Sequence, residues 1–293
     1  MSETAAVHPT GGADGATGVG AGAGNGGRGV LRNLWRGPLR VPRSRQSPRM
    51  IVIETVLLLL VSLGSSAIYS ILSIIRALQS NVALNQQTSS LNNAQASQSW
   101  LDLIYQLVGV GLGVIPAIFA IYLLSREIRR PLRYLGLDRS RRIPDTVLAC
   151  LLAAVIGLPG LALYVAARDL GFNTTVVAAN LGNTWWALPV LVLSAIQNAA
   201  LEEVVMVGYL YTRWSQAGWR LPVIIVTSAV IRGSYHLYQG FGGFLGNIVM
   251  GLILGTVYVR TRRVLPLVIT HSILDTVAFV GYALLHTHVS WLS

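Results

Sequence analysis

The sequence predicts an all-α polytopic membrane protein, a bundle of about seven transmembrane helices, or eight, with a cytoplasmic N-terminus. Two observations predict this class. Of the 293 residues, 53% are hydrophobic and 11% are charged, whereas soluble domains carry about 25% charged residues. The charges are also placed unevenly, because most arginines stand between long apolar runs. This composition excludes a water-soluble globular enzyme.

Residues 1–50 are predicted to form a cytoplasmic tail. The first 30 residues are rich in Gly and Ala and show no apolar periodicity, so they cannot bury enough apolar surface to fold. The arginines that follow alternate with Leu and Trp, which is typical of a segment lying on an anionic membrane surface. A secretory signal is not expected, because the first apolar run begins near residue 51 and is too long for one.

The next elements are the membrane spans, each of which needs about 20 mostly apolar residues. Seven segments are candidates, of which the sixth is short. They lie at 51–75, 103–125, 146–167, 186–211, 221–238, 244–259 and 264–285. A further span, or a re-entrant piece near 239–247, would change only the C-terminal side. The first two spans form an N-terminal unit over 51–125, and 126–293 forms the core.

The arginines predict the orientation of these spans. All 22 basic residues are Arg; seven precede the first span and seven lie in 126–142, whereas the connection 77–100 carries no charge. Cytoplasmic loops carry an excess of basic residues, so the N-terminus is predicted to be inside and, with seven spans, the C-terminus outside. This pattern explains the net charge of +11 without nucleic acid as a partner. We expect a multi-pass protein of a bacterial plasma membrane, with lipids as its surroundings.

Pairs of glycines predict where helices approach each other closely. Gly109 and Gly113 in the second span, and Gly251 and Gly255 in the sixth, have the small-xxx-small spacing of packed membrane helices.

A few ionisable residues lie inside apolar runs, where each costs at least about 2.5 kcal/mol at the bilayer centre. They are Glu54, Glu202, Glu203, Arg232, His236, His271 and Asp275. Glu54 lies at the cytoplasmic edge of the first span, so we interpret it as structural, reaching headgroup water or an arginine. The other six form three pairs on three of the last four spans. Intramembrane ionisable residues indicate a functional site by default.

These three pairs suit activation of a water molecule. In the second and third pairs the spacing is i, i+4, which places both side chains on one helix face. A buried glutamate takes the proton of the water, assisted by an imidazole. The developing oxyanion needs donors, for which His271, a protonated Asp275 and Arg232 are candidates. A purely structural ion-pair network is the competing interpretation.

The sequences EEVVMVGYL, RGSYHLYQG and THSILD, in this order, resemble the CPBP family of intramembrane proteases. This group contains the CAAX prenyl endopeptidase Rce and bacteriocin-processing or immunity-type (Abi) bacterial proteins. The resemblance covers roughly 130–285 and implies an intramembrane peptide-bond hydrolase. In this comparison Glu202 and His236 activate water, while His271 and Asp275 stabilise the oxyanion. It implies a protein or peptide substrate at the membrane, without indicating prenyl specificity.

The chain departs from the family pattern at two positions. The arginine of the first family motif is replaced by Val207, and an arginine, Arg232, stands where the family has phenylalanine. Our hypothesis is that the positive charge has moved to the next helix and still neutralises one glutamate. At Asp275 the family has Asn or Asp; an ionised carboxylate cannot donate to an oxyanion, so Asp275 is either protonated or orients His271.

The family is often labelled metalloprotease, which raises the question of a metal. His236, His271, Asp275 and Glu202 would form a plausible Zn²⁺ site. However, the sequence lacks the H-E-x-x-H motif, and a Glu–His pair can activate water directly.

Two other functions remain open. One is a catalytically silent scaffold or immunity factor on the same fold. The other is a proton-coupled transporter, since membrane Glu, His and Asp also form proton relays. Transporters typically have repeated halves, and no internal repeat is evident here.

Overall fold

Helices make up most of the computed structural model, which describes residues 41–288. The predicted tail lies largely outside the described residues. The helices of eight residues or more are α1 Pro48–Leu60, α2 Leu63–Gln79, α3 Ser99–Gly113, α4 Ile115–Ser125, α6 Arg142–Asp169, α7 Ala187–Glu202, α9 Leu221–Ser234, α10 Phe241–Thr261 and α11 Leu265–Leu285. The shorter helices are α5 Pro131–Tyr134 and α8 Leu210–Gln216, and a π-helical segment, Glu203–Tyr209, joins α7 to α8.

Helix starts follow ordinary capping chemistry. The Ser47 hydroxyl accepts a hydrogen bond from the Met50 N–H, and Pro48 occupies the first position of α1. A serine N-cap satisfies one of the free N–H groups of the first turn, and proline there loses no helical hydrogen bond. Proline also stands in the first turn of α4, α5, α9 and α11.

Five helices are long and apolar enough to cross a membrane. They are Ser99–Ser125, Arg142–Asp169, Ala187–Gln216, Phe241–Thr261 and Leu265–Leu285. The first predicted span is bent by 57° between α1 and α2, and counting this pair as one span gives six. A multi-pass membrane protein is therefore supported, but the predicted number of seven or eight spans is not confirmed.

The difference arises at the bent first span and at the predicted fifth span. The fifth, predicted at 221–238, ends at Ser234, so α9 has 14 residues and is about 21 Å long, short of the roughly 30 Å hydrocarbon core. The sixth, predicted to be short, is a full helix of 21 residues. Residues 241–247 form the first turns of α10 and not a re-entrant piece.

The segment from α7 to α8 is the centre of the bundle. In the most apolar 18-residue stretch of this segment 56% of the residues are buried, whereas in the corresponding stretch of α6 only 11% are buried. Helix α7 packs against α11, and α9 packs against α10. The large apolar side chains exposed on α6 fit a helix whose outer face contacts lipid.

The glycine pairs behave differently from each other. A Cβ on Gly251 would lie 2.9 Å from the Ala229 Cα, and one on Gly255 would lie 2.0 Å from the Tyr211 hydroxyl. These two glycines therefore permit the close approach that the spacing predicts. Gly113 faces the Gln197 side chain, whereas no atom of residues 41–288 outside the local helix lies within 4 Å of a Cβ on Gly109.

Ion pairs tie the chain together at the end predicted to be cytoplasmic. Glu54, interpreted as structural, accepts from Arg213 at 2.7 Å, and Arg213 also contacts Glu127 at 3.1 Å. Arg263 contacts Asp145 at 2.8 Å and Asp138 at 2.9 Å. Hydrogen bonds from the Ser140 hydroxyl and then from Arg263 lower the pKa of Asp138 to about 2.

At the opposite end, three connections meet on a small sheet that the sequence did not predict. Strands β1 Thr88–Ser90 and β2 Thr175–Val177 pair in parallel, with Thr88 opposite Thr175. The Thr174 N–H donates to the Gln239 carbonyl in the 3₁₀ turn Leu237–Gln239. The turn that follows α9 is thereby fixed against the α6–α7 connection.

Candidate active site

The two adjacent glutamates lie at the change from α-helix to π-helix. Glu202 is the last residue of α7, and Glu203 opens the π-helical segment. Such wider turns occur frequently at functional sites, because they alter the direction of side chains within a continuous helix. Arg232 of α9 contacts both glutamates, and His271 of α11 contacts Glu203.

Glu203 is fully buried and bound by two donors. Its Oε1 accepts from Nη2 of Arg232 at 2.5 Å and from Nδ1 of His271 at 2.9 Å. Arg232 is only 1% exposed, so this is a buried ion pair between the π-helical segment and α9. This geometry agrees with the hypothesis that Arg232 supplies the positive charge that the family carries at the position of Val207. Val207 itself is buried among apolar residues.

Glu202 has a different environment. Its Oε2 accepts from the Tyr235 hydroxyl at 2.7 Å, while Nη1 of Arg232 lies 3.6 Å from the same oxygen. Glu202 keeps 8% of its surface exposed, against 0% for Glu203. Arg232 therefore holds both carboxylates in place but pairs closely with only one.

His236 lies just beyond the helix that carries Arg232. Sequence spacing predicted both residues on one helix face, but α9 ends at Ser234. Nδ1 of His236 lies 3.0 Å from the Arg232 carbonyl oxygen. Since a carbonyl only accepts, Nδ1 is the donor, and the side chain satisfies a carbonyl that the helix end leaves open. In a neutral imidazole this leaves the lone pair on Nε2.

His271 and Asp275 share one face of α11, as the spacing predicted. Nε2 of His271 lies 3.5 Å from Oδ1 of Asp275, while its Nδ1 faces Glu203. His271 is 3% exposed. Each ring nitrogen of His271 thus faces a carboxylate.

These contacts join five predicted residues into one cluster: Glu202, Arg232, Glu203, His271 and Asp275. His236 is attached to it through the backbone of Arg232, and its ring lies 4.7 Å from that of Tyr235, which donates to Glu202. Among the described residues the cluster also has free hydrogen-bonding capacity, because Oε2 of Glu203 and Nη1 of Arg232 have no hydrogen-bond partner although both are buried.

Tyr235 is the site residue that the sequence analysis missed. It donates to Glu202, and its ring lies 4.7 Å from that of His236. A tyrosine in a largely apolar segment is normally interpreted as a residue of the hydrophobic core. Only its position directly before His236 would have singled it out.

The candidate metal ligands do not come together. No group of three or more His, Cys, Asp or Glu side chains within 41–288 is arranged to hold a metal ion. Glu202, the candidate carboxylate ligand, accepts from the Tyr235 hydroxyl, and both ring nitrogens of His271 face carboxylates. The arrangement of these side chains does not fit a Zn²⁺ site.

Apolar helices around this buried acid–histidine cluster define a multi-pass membrane protein with a candidate hydrolytic site. Residues 184–277 match the family model described as type II CAAX prenyl endopeptidase Rce1-like. The match includes all three motifs and confirms the resemblance to the CPBP and CAAX protease family. This family implies a peptidase. No curated protein and no solved structure gives a significant match to the chain.

Proposed function

We propose that the protein is an intramembrane endopeptidase of the CPBP type, which hydrolyses a peptide bond of a membrane-associated protein or peptide. The observation that carries this proposal is the unequal environment of the two glutamates. Glu203 is held by Arg232 and His271, whereas Glu202 keeps 8% of its surface exposed and accepts one close hydrogen bond. Neighbouring carboxylates in different environments can take different roles.

In this mechanism Glu202 and Nε2 of His236 activate the attacking water. Glu202 is the less buried of the two carboxylates, and Tyr235 donates to it and fixes its orientation. His236 offers a lone pair on Nε2, because Nδ1 donates to the Arg232 carbonyl. A base positioned in this way contributes typically 10²–10⁴-fold to the rate, as a rough guide.

The proposed oxyanion donor is Nη1 of Arg232. It is a buried donor without a hydrogen-bond partner among the described residues, close to Glu202. A preorganised donor of this kind stabilises negative charge that develops in the transition state. His271, with a carboxylate at each ring nitrogen, positions Glu203, and Asp275 orients His271 rather than donating to the oxyanion.

The proposal is tested by comparing membranes that contain wild type, Glu202→Gln or His236→Ala. We expect a membrane protein or peptide whose processing stops in both variants. Asp169→Asn is the matched control, because this carboxylate is exposed and lies outside the cluster. Indistinguishable proteomes would contradict the protease proposal and favour the silent scaffold.

A further inference from the structure

A second polar site lies at the end of the molecule where the small sheet meets the 3₁₀ turn. A cavity of about 400 Å³ opens there between the end of α2 and β1. This volume is in the range of ligand pockets, roughly 300–1,000 Å³. The lining consists mainly of hydroxyl side chains, and Arg76 is the charged residue among them. The cavity is therefore polar, although it adjoins apolar helices.

The charge of this cavity is not balanced. Arg76 lies in the last turn of α2 and is exposed. Within 41–288 no carboxylate forms an ion pair with it, and the segment from Ala77 to Leu101 carries no charge. Its surroundings thus favour a ligand with negative charge.

The cavity also contains an unpaired strand edge. The Gln87 carbonyl accepts from Thr175, and the Leu91 N–H donates to Val177, so these residues direct their backbone groups towards β2. Backbone groups of successive strand residues point to opposite sides, so those of Thr88 and Ser90 point away from β2. Such an edge is a template for another extended chain.

One wall of the cavity is shared with the candidate active site. Tyr238 lines the cavity and follows His236 by two residues. Its N–H donates to the Ser70 hydroxyl at 2.6 Å, and its carbonyl accepts from the Ser89 hydroxyl at 2.9 Å. The segment that carries His236 is therefore fixed to both sides of the cavity.

We propose that this cavity binds the carboxy-terminal end of an extended peptide, whose backbone pairs with the free edge of β1 and whose carboxylate pairs with Arg76. The inference rests on the proposed function, since it makes the cavity a recognition site for a peptide substrate or product. An anionic lipid headgroup would satisfy Arg76 but would offer no repeating N–H and C=O groups to Thr88 and Ser90. The strand edge therefore favours a peptide.

The test measures how tightly the protein binds the short peptide Thr-Val-Thr-Val-Ala, which carries an uncharged fluorophore at its N-terminus. The peptide is used in two forms, as the free acid and as the C-terminal amide. The protein is the full chain carrying Glu202→Gln, so that no turnover occurs, in nanodiscs of phosphatidylcholine. We expect the acid to bind about tenfold more tightly than the amide, the size of one charge-assisted hydrogen bond. In Arg76→Gln this preference should disappear. Arg220→Gln, an exposed arginine at the start of α9, should retain it.

A second variant tests the strand edge. Ser90→Pro removes an N–H that points away from β2, so the existing pairing is retained while binding of both peptides should weaken. Equal affinity for acid and amide, no binding to the parent protein, or an unchanged preference in Arg76→Gln would overturn the proposal. Displacement of the peptide by phosphatidylglycerol nanodiscs but not by excess unlabelled free acid would assign the cavity to lipid instead.

The two proposals fail in different ways. If the cavity is not a peptide site, Arg76→Gln in the otherwise wild-type chain will process its substrate with an unchanged KM. If the protein is not a protease, the peptide will still bind in an Arg76-dependent manner, but the wild-type chain will leave every protein intact.

Discussion

Removing the Arg232 guanidinium would leave the Glu203 carboxylate buried without a cation. Breaking a buried ion pair on one side costs about 3–5 kcal/mol, so we expect Arg232→Leu to lower the free energy of unfolding by this order and to abolish activity. Unfolding in detergent, followed by circular dichroism, measures the first effect. In the double variant Arg232→Leu/Glu203→Gln part of the stability should return, whereas activity should not.

The control for this prediction is Arg220→Leu, which removes an exposed arginine directly before the same helix and should cost little. Full activity with unchanged stability in Arg232→Leu would contradict both the moved charge and the proposed oxyanion donor.

The Tyr235 hydroxyl offers a test of the role of Glu202 that does not disturb packing. Tyr235→Phe keeps the ring but removes the donor 2.7 Å from Oε2 of Glu202. Hydrogen bonds to charged groups contribute about 1.5–3 kcal/mol, so we expect kcat to fall about tenfold or more while the unfolding temperature changes little. Tyr211→Phe is matched to it, because that buried hydroxyl has no hydrogen-bond partner within the described chain. Equal rates in the two variants would exclude a positioning role for Tyr235.

At the scale of residues, the sequence could predict the charged members of the site but not all their contacts. Glu203, Arg232 and His271 stand out because ionisable groups are rare in apolar runs, and helical spacing suggests which of them face each other. Tyr235 does not stand out, since tyrosine is common in buried apolar surroundings. Which glutamate pairs with Arg232 depends on the π-helical turn at Glu203, and apolar periodicity does not reveal such a turn.

Between helices, the close approach of α10 to α8 depends on glycine. Gly255→Ala places a methyl group 2.0 Å from the Tyr211 hydroxyl, and overpacking of this kind costs about 1–3 kcal/mol. We expect a lower unfolding temperature in detergent, with partial recovery in Gly255→Ala/Tyr211→Phe, where the nearest ring carbon lies 3.1 Å away. Gly109→Ala is the control, as its Cβ would meet no neighbouring atom within 4 Å in the part of the chain that the structure describes. Similar effects at both glycines would show that helix propensity, rather than packing, determines the result.

The elements themselves could be predicted to different degrees. Apolar runs located most helices, because a spanning helix must satisfy its backbone internally. The end of α9 could not be predicted from the sequence, since apolar residues continue past Ser234. Beyond it, the His236 side chain donates to the Arg232 backbone carbonyl. The sheet was missed because Thr88 and Thr175 are far apart in sequence, and three-residue strands leave no periodic pattern.

For the molecule as a whole, the two ends differ in the kind of contact that stabilises them. Ion pairs of Arg213 and Arg263 connect the helices at one end, while backbone pairing and hydroxyl groups connect them at the other. The candidate active site lies between these ends. This asymmetry agrees with the arginine pattern and leads to a prediction about orientation.

The connection 80–98 should face the outside of the cell and the connection 126–142 the cytoplasm, because arginine-rich loops remain on the cytoplasmic side. In a Cys150→Ser background, which removes the single cysteine, we expect a membrane-impermeant maleimide to label Ser97→Cys on intact cells but not Arg139→Cys. Both positions are exposed, so both should react once the membrane is permeabilised. Labelling of Arg139→Cys alone on intact cells would invert the orientation. The cavity at Arg76, which lies on the same side as the connection 80–98, would then open to the cytoplasm, and its peptide ligand would have to be a cytoplasmic one.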